Sequence, residues 1–190
     1  MEGGVHQEEI DPGDPTSPEA YHDPCSNALS KLLWNADASV SNALIEFLNR
    51  AIQEGDGATL SKREFGANLI KVANDQVNLG VVGVGPQVQP GYTPTVAIPA
   101  NGATYLNWMG DVHNHPSGDP IPSDDEWYMF QNRVADIIAT HPERNAEMQY
   151  VAIYIVIGDP PNAKIYAYTR HSFPGQQGQE VNPDAQSCPL

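Results

Sequence analysis

Cysteine is scarce in this chain of 190 residues, with only Cys25 and Cys188 present. A zinc module closed by several thiolates is excluded by that count, so any metal must be held by histidine and carboxylate. The two thiols either pair or stand apart, and the sequence leaves both open. A bridge would close a long loop, worth ~4 to 5 kcal/mol in the chain-entropy model, and would imply an oxidising compartment. Basic residues are also few, 9 Lys and Arg against 24 Asp and Glu, for a formal net charge of -15. The clustered cations that a phosphate backbone requires are missing, so nucleic acid is not expected as a partner. No apolar run approaches the roughly 20 residues that span a bilayer. The opening stretch, MEGGVHQEEIDPGDP, is acidic where a secretory signal is basic and then apolar. A soluble chain without membrane span or signal peptide is the expectation.

The length suits a single domain. Residues 1–20 mix Glu, Asp, Pro and Gly with almost no large apolar side chains, and they read as a flexible acidic arm. Residues 21–174 read as the folded domain and 175–190, rich in Gln, Gly, Asn and Pro, as a loosely held tail. Within the domain, Val40, Leu44, Phe47, Leu48, Ala51 and Ile52 form the stripe of an amphipathic helix ending near Gly55. A shorter helix is expected over Asn27–Trp34 behind a Ser26 cap. Phe65–Val72 and Val77–Val84 are candidate strands, Thr95–Ile98 is a short extended piece, and Tyr105–His115 leads to a third strand end. Asp124–Thr140 reads as a helix with Trp127, Phe130, Val134, Ile137 and Ile138 on one side, stopped by His141-Pro142. Tyr150–Ile157 and Lys164–Thr169 read as a hairpin around Gly158-Asp159-Pro160-Pro161-Asn162. This order of elements indicates an α+β domain with a curved sheet and a few covering helices.

The chemistry concentrates in Gly110 to Glu126, GDVHNHPSGDPIPSDDE. His113 and His115 stand two apart where a strand should end, so both imidazoles point to one face and can converge on one point. Pro116, Gly118, Pro120 and Pro122 then force a turn before Ser123 opens the next helix. A carboxylate in that helix's first turn can swing back toward the histidines. Two imidazoles, one carboxylate and an open position describe a catalytic metal site. Ser123-x-x-Glu126 is equally a capping box, which taken alone needs no metal. The pair of converging imidazoles is what a capping box does not require. His6, His22, His141 and His171 show no ligand spacing.

His-x-His, seven residues, then Ser-x-x-acid resembles the signature of the JAMM (MPN-type) metallopeptidases, and HNHPSGDPIPS is especially similar to the RadC-type and bacterial toxin-associated branches. The resemblance covers Ser26 to Thr169. It implies a curved mixed β-sheet flanked by helices, layered as in cytidine deaminases, although the Pro-Cys-x-x-Cys element of a zinc deaminase is lacking. It further implies Zn2+ as cofactor, His113 and His115 as imidazole ligands, Ser123 as a catalytic residue assisting the oxyanion, and Glu126 in the third-ligand position. The family has Asp where this chain has Glu126, so either the loop adjusts to the extra methylene or Asp125 supplies the ligand. The family's upstream general base is matched by Glu64 in Arg63-Glu64-Phe65-Gly66, with Glu46 and Glu54 as competitors that helical spacing places in solvent.

The implied activity is zinc-dependent peptidase or isopeptidase hydrolysis of an amide bond. Two other functions fit the resemblance: an inactive zinc-binding interaction module, or a peptidoglycan amide hydrolase exported as a bacterial effector. The implied partners are a peptide or isopeptide substrate and a cognate immunity or carrier protein. Substrate choice is expected to lie in loops such as Gly85–Ala103, and the compartment, cytoplasmic or exported, is not encoded legibly.

Overall fold

In the computed structural model, which describes residues 38–73, 76–92 and 95–181, the apolar stripe beginning at Val40 forms helix α1, Ala38–Glu54. Its inward face carries Ala43, Leu44, Phe47 and Ala51, all buried. On its outer face Arg50 bridges Glu46 at 3.2 Å and Glu54 at 2.7 Å. The helix expected over Asn27–Trp34, the acidic arm and both cysteines lie outside the described residues.

Among the described residues seven strands follow: β1 Arg63–Lys71, β2 Val77–Leu79, β3 Gly83–Gln87, β4 Trp108–Asn114, β5 Ala152–Ile157, β6 Lys164–Thr169 and β7 Gln179–Val181. They form one mixed sheet in the order β2-β1-β4-β5-β6-β7, with β3 also pairing to β1. Only β4 and β5 run parallel. A parallel pair needs a crossover, and helix α2, Asp124–Thr140, supplies it. The expected hairpin is β5–β6.

Strand alternation sends side chains to two cores. Ala152, Tyr154 and Val156 of β5, with Phe65, Ala67 and Leu69 of β1, pack on the α1 side. Ile153 and Ile155 of β5 and Tyr166 and Tyr168 of β6 pack with Phe130, Val134 and Ile137 of α2 on the other. The fold is therefore mixed α+β, a seven-stranded sheet with a helix on each face.

Strand β4 breaks the alternation at one place. Asn68 pairs with Asp111 but Ile70 with Trp108, so β4 holds one extra residue there. Gly110 takes φ +116° within this bulge, and a Cβ on it would lie 1.9 Å from the Ala152 carbonyl oxygen. The consequence is a change of face. Trp108 joins the α2-side core, whereas Val112, four residues on, joins the α1-side core. Asp111 and His113 thereby share the face of Trp108, Glu64 and Asn68.

Two expectations, for Val77–Val84 and for the tail, need correction. Val77–Val84 is not one strand: the ladder is interrupted after Leu79, although Gly80 N–H still donates to Asn68 O at 2.8 Å along the same edge of β1. Thr95–Ile98, expected as a short extended piece, joins no strand among the described residues and crosses the sheet face, where a Cβ on Gly66 or Gly83 would come within 2.8 Å of Ile98 or 2.5 Å of the Ala97 carbonyl. Within the tail expected to be loosely held, Gln179–Val181 form β7, which caps the β6 edge and buries Val181; residues 182–190 lie outside the described residues. Short runs of three residues carry too little periodicity to be read from sequence.

Gly110→Ala should destabilise the fold by at least ~2 kcal/mol, since it combines a strained φ with a backbone clash. A urea midpoint equal to that of the unsubstituted protein would contradict this role for the bulge.

Candidate metal centre

The site stands where β4 ends and the chain turns toward α2, at the carboxyl ends of the two parallel strands. His113 is the penultimate residue of β4 and is 4% exposed. His115 stays extended because its N–H donates to Val156 O at 2.9 Å, one further rung toward β5. The loop then turns, with Gly118 at φ +80° and its N–H donating to His115 O at 3.0 Å. The Tyr168 hydroxyl, donating to Pro120 O at 2.5 Å, ties the loop to β6.

Ser123 caps α2 and Glu126 completes a capping box: Ser123 N–H donates to Oε2 of Glu126 at 2.6 Å, and Glu126 N–H to Ser123 Oγ at 3.3 Å. The other carboxylate oxygen, Oε1, faces the imidazoles, 3.2 Å from His113 Nε2 and 3.4 Å from His115 Nε2. The two Nε2 atoms are 3.2 Å apart. Capping and ligation are thus compatible, because the two oxygens of one carboxylate divide the work. These three separations match one face of a tetrahedron around an ion at ~2.0 to 2.1 Å, whose edge is about 3.3 Å.

Each imidazole is also oriented from behind. His113 Nδ1 lies 3.3 Å from Asp111 Oδ1, and His115 Nδ1 lies 2.8 Å from Asp119 O. An acceptor at Nδ1 holds the proton there and leaves the Nε2 lone pair for a metal. His113, His115 and Glu126 form a group that can hold a metal ion. Asp125 does not join it; it lines the adjoining cleft instead. The extra methylene of Glu126 is what lets one carboxylate reach both the cap and the imidazoles.

Glu64 is 7% exposed on the neighbouring strand. Asn114 fixes the backbone on both sides of it, donating to Arg63 O at 2.8 Å and accepting from Phe65 N–H at 2.7 Å. Burial raises the Glu64 pKa, partly offset by the imidazoles of His113 and His115 and by the Val96 N–H. Glu46 and Glu54 remain on α1, across the sheet, paired with Arg50. Asp111, Asn114 and Asp119 were not singled out from sequence. The signal for Asp111 was available, since it lies two residues before His113 and so on the same strand face.

Two clefts meet here. One, of about 500 Å³, runs over His113, Asp111, Trp108 and Arg133; the other, of about 520 Å³, runs over His115, Tyr92, Val88 and Ile121. Glu64, Thr95, Ser123 and Glu126 border both. Fold and donor set together define a mixed α+β domain that presents a two-histidine, one-carboxylate group able to hold a metal ion. No protein-family model matches the chain, and comparison with curated proteins finds no similar sequence.

Burial disfavours charge on His113, but the Asp111 and Glu126 carboxylates outweigh it and raise its pKa to about 10. The Glu126 carboxyl resists burial and is held far below the usual range by the two imidazoles. Without metal, the His113 contribution to stability is complete below the ordinary value of 6.5 and is lost as pH rises through about 10. That of Glu126 is present above its ordinary 4.5 and is lost as pH falls toward its lowered value. A metal bound at His113 would displace its proton, so any rise in Tm on adding a divalent metal such as zinc should be larger near pH 9 than near pH 6. An equal rise at both would show that His113 releases no proton on binding, against its raised pKa. Glu126→Ala should abolish binding of an added divalent metal ion and Asp125→Ala should spare it. Asp111→Asn should weaken it roughly 10- to 100-fold in competition with a chromophoric chelator.

Proposed function

We propose that the chain is a zinc-dependent peptidase or isopeptidase of the JAMM type, hydrolysing an amide bond. The observation that carries this reading is the buried carboxylate of Glu64, raised in pKa and bordering both clefts beside the ligand group. A purely structural metal site has no use for such a group, and is usually closed by a fourth protein ligand. The sheet with a helix on each face is consistent with JAMM layering.

Zinc held by His113, His115 and Glu126 would supply a Lewis acid for the scissile carbonyl and lower the pKa of water toward ~7. Glu64 takes the proton from the attacking water as its oxygen bonds to the carbonyl carbon. It then delivers that proton to the amide nitrogen as the C–N bond breaks, so that an acid and an amine leave and Glu64 returns to its starting state. Burial suits it to this work by bringing its basicity closer to neutrality. Ser123 Oγ already accepts from Glu126 N–H, which leaves its own proton free to donate to the developing oxyanion. Preorganised donors of that kind contribute roughly 3 to 4 kcal/mol. Asn114 and Asp111 act through Glu64 and His113 and are positioning residues.

The test is elemental analysis together with cleavage of peptide and isopeptide reporters. One zinc per chain and turnover are expected, with Glu64→Gln retaining the metal but losing about 10²- to 10⁴-fold in kcat. Ser123→Ala should lower kcat and also cost ~1 kcal/mol of stability through the lost cap. Zinc bound without cleavage of any reporter would leave a metal-binding interaction module. No zinc after reconstitution would remove the hydrolase reading.

A further inference from the structure

Arg133 lies seven residues beyond Glu126 on α2. That is two helical turns, so both side chains share one face, about 10 Å apart along the axis. The side chains of a helix lean toward its N-terminus, which aims Arg133 toward the site. It lines the cleft of about 500 Å³ together with Glu64, His113 and Glu126, and among the described residues lining that cleft it is the sole Lys or Arg.

Its guanidinium rests 4.3 Å from the centroid of the Trp108 ring. Trp108 is a fixed platform: it is 1% exposed, its indole N–H donates to Asn68 Oδ1 at 3.0 Å, and Asn68 Nδ2 donates to Pro99 O at 2.8 Å. That contact seats the guanidinium over the ring and uses none of its five N–H donors. Among the described residues no hydrogen bond or ion pair reaches those donors. Burial opposes the Arg133 charge, and Asp111 and Tyr105 act on it only at a distance. Asp111 is engaged with His113. Arg144 is a contrast: it donates to Glu147 and to the carbonyls of Tyr105 and Trp108.

We propose that Arg133 is a substrate-binding residue that takes a carboxylate in a bidentate pair. Resting on the peptidase reading of the adjoining site, this assigns the substrate class: peptides bearing a carboxylate within about three residues of the scissile amide, since each extended residue spans ~3.3 Å. A partly desolvated guanidinium seated over an aromatic ring with open donors is preorganised for a planar anion. The carboxylate is that of a chain terminus or of an acidic side chain, and the two are separable by experiment.

The probes are N-acetyl-trialanine and its C-terminal amide, then N-acetyl-Ala-Ala-Glu-amide and its Gln counterpart. Each is titrated into the full chain, metal-free and zinc-loaded, while the Arg133 Nε–H and Trp108 indole resonances are followed by NMR. In at least one pair the carboxylate form should bind roughly tenfold or more tightly than its neutral partner and shift both resonances. The pair that discriminates identifies the source. Arg133→Gln should erase the preference and Arg133→Lys should keep part of it, with circular dichroism confirming that both fold. Persistence without zinc separates capture by Arg133 from coordination to metal, so a chain that failed as a peptidase would still give a decision. Equal binding within both pairs, a preference seen only with zinc, or an unchanged preference in Arg133→Gln would overturn the proposal.

Discussion

The extra residue in β4 at Gly110 is the constraint on which the site depends. A regular strand from Trp108 to Asn114 would send Trp108 and Val112 to the same face and His113 to the opposite one. The bulge lets Trp108 pack under α2, Val112 pack under α1, and Asp111 and His113 emerge on the α2 side beside Glu64. Only glycine serves, because the Ala152 carbonyl occupies the space a side chain would need. Two hydrophobic cores and one polar face are therefore reconciled in a single strand.

Around that face the structure gathers Glu64, Asp111, Asp125 and Glu126, a concentration of negative charge that would repel itself in isolation. Each of the two acids nearest the imidazoles is bound into a specific arrangement. Asp111 sits behind His113, and Glu126 shares its oxygens between the Ser123 cap and the two Nε2 atoms. The start of α2 adds a favourable field for carboxylates, with Asp124, Asp125 and Glu126 all in its first turn. Glu64 is left to burial, and its pKa rises accordingly.

The long helices and the β5–β6 hairpin were legible in the sequence because their periodicity runs through many residues. Ala38–Glu54 and Asp124–Thr140 fall where the apolar stripes lie. The interruption between β2 and β3 and the short β7 were not legible, because short edge segments take their conformation from neighbours. For the site, the spacing of His113 and His115 and the position of Ser123 were legible. The supporting acceptors were only partly so: Asp111 is local in sequence, but the Asp119 carbonyl and the Asn114 contacts to Arg63 and Phe65 are backbone relations that no side-chain pattern encodes.

By itself the sequence determined the α+β class, the two long helices and the residue types able to converge on a metal, since local periodicity and spacing act within a few residues. Which carboxylate faces the imidazoles, Glu126 or Asp125, was decided by the tertiary structure, because it depends on the angle at which α2 leaves the loop. So was the meeting of Arg133 with Trp108, which joins a helix to a strand across the α2-side core. Contacts between distant segments are set by packing, and packing is a property of the folded chain.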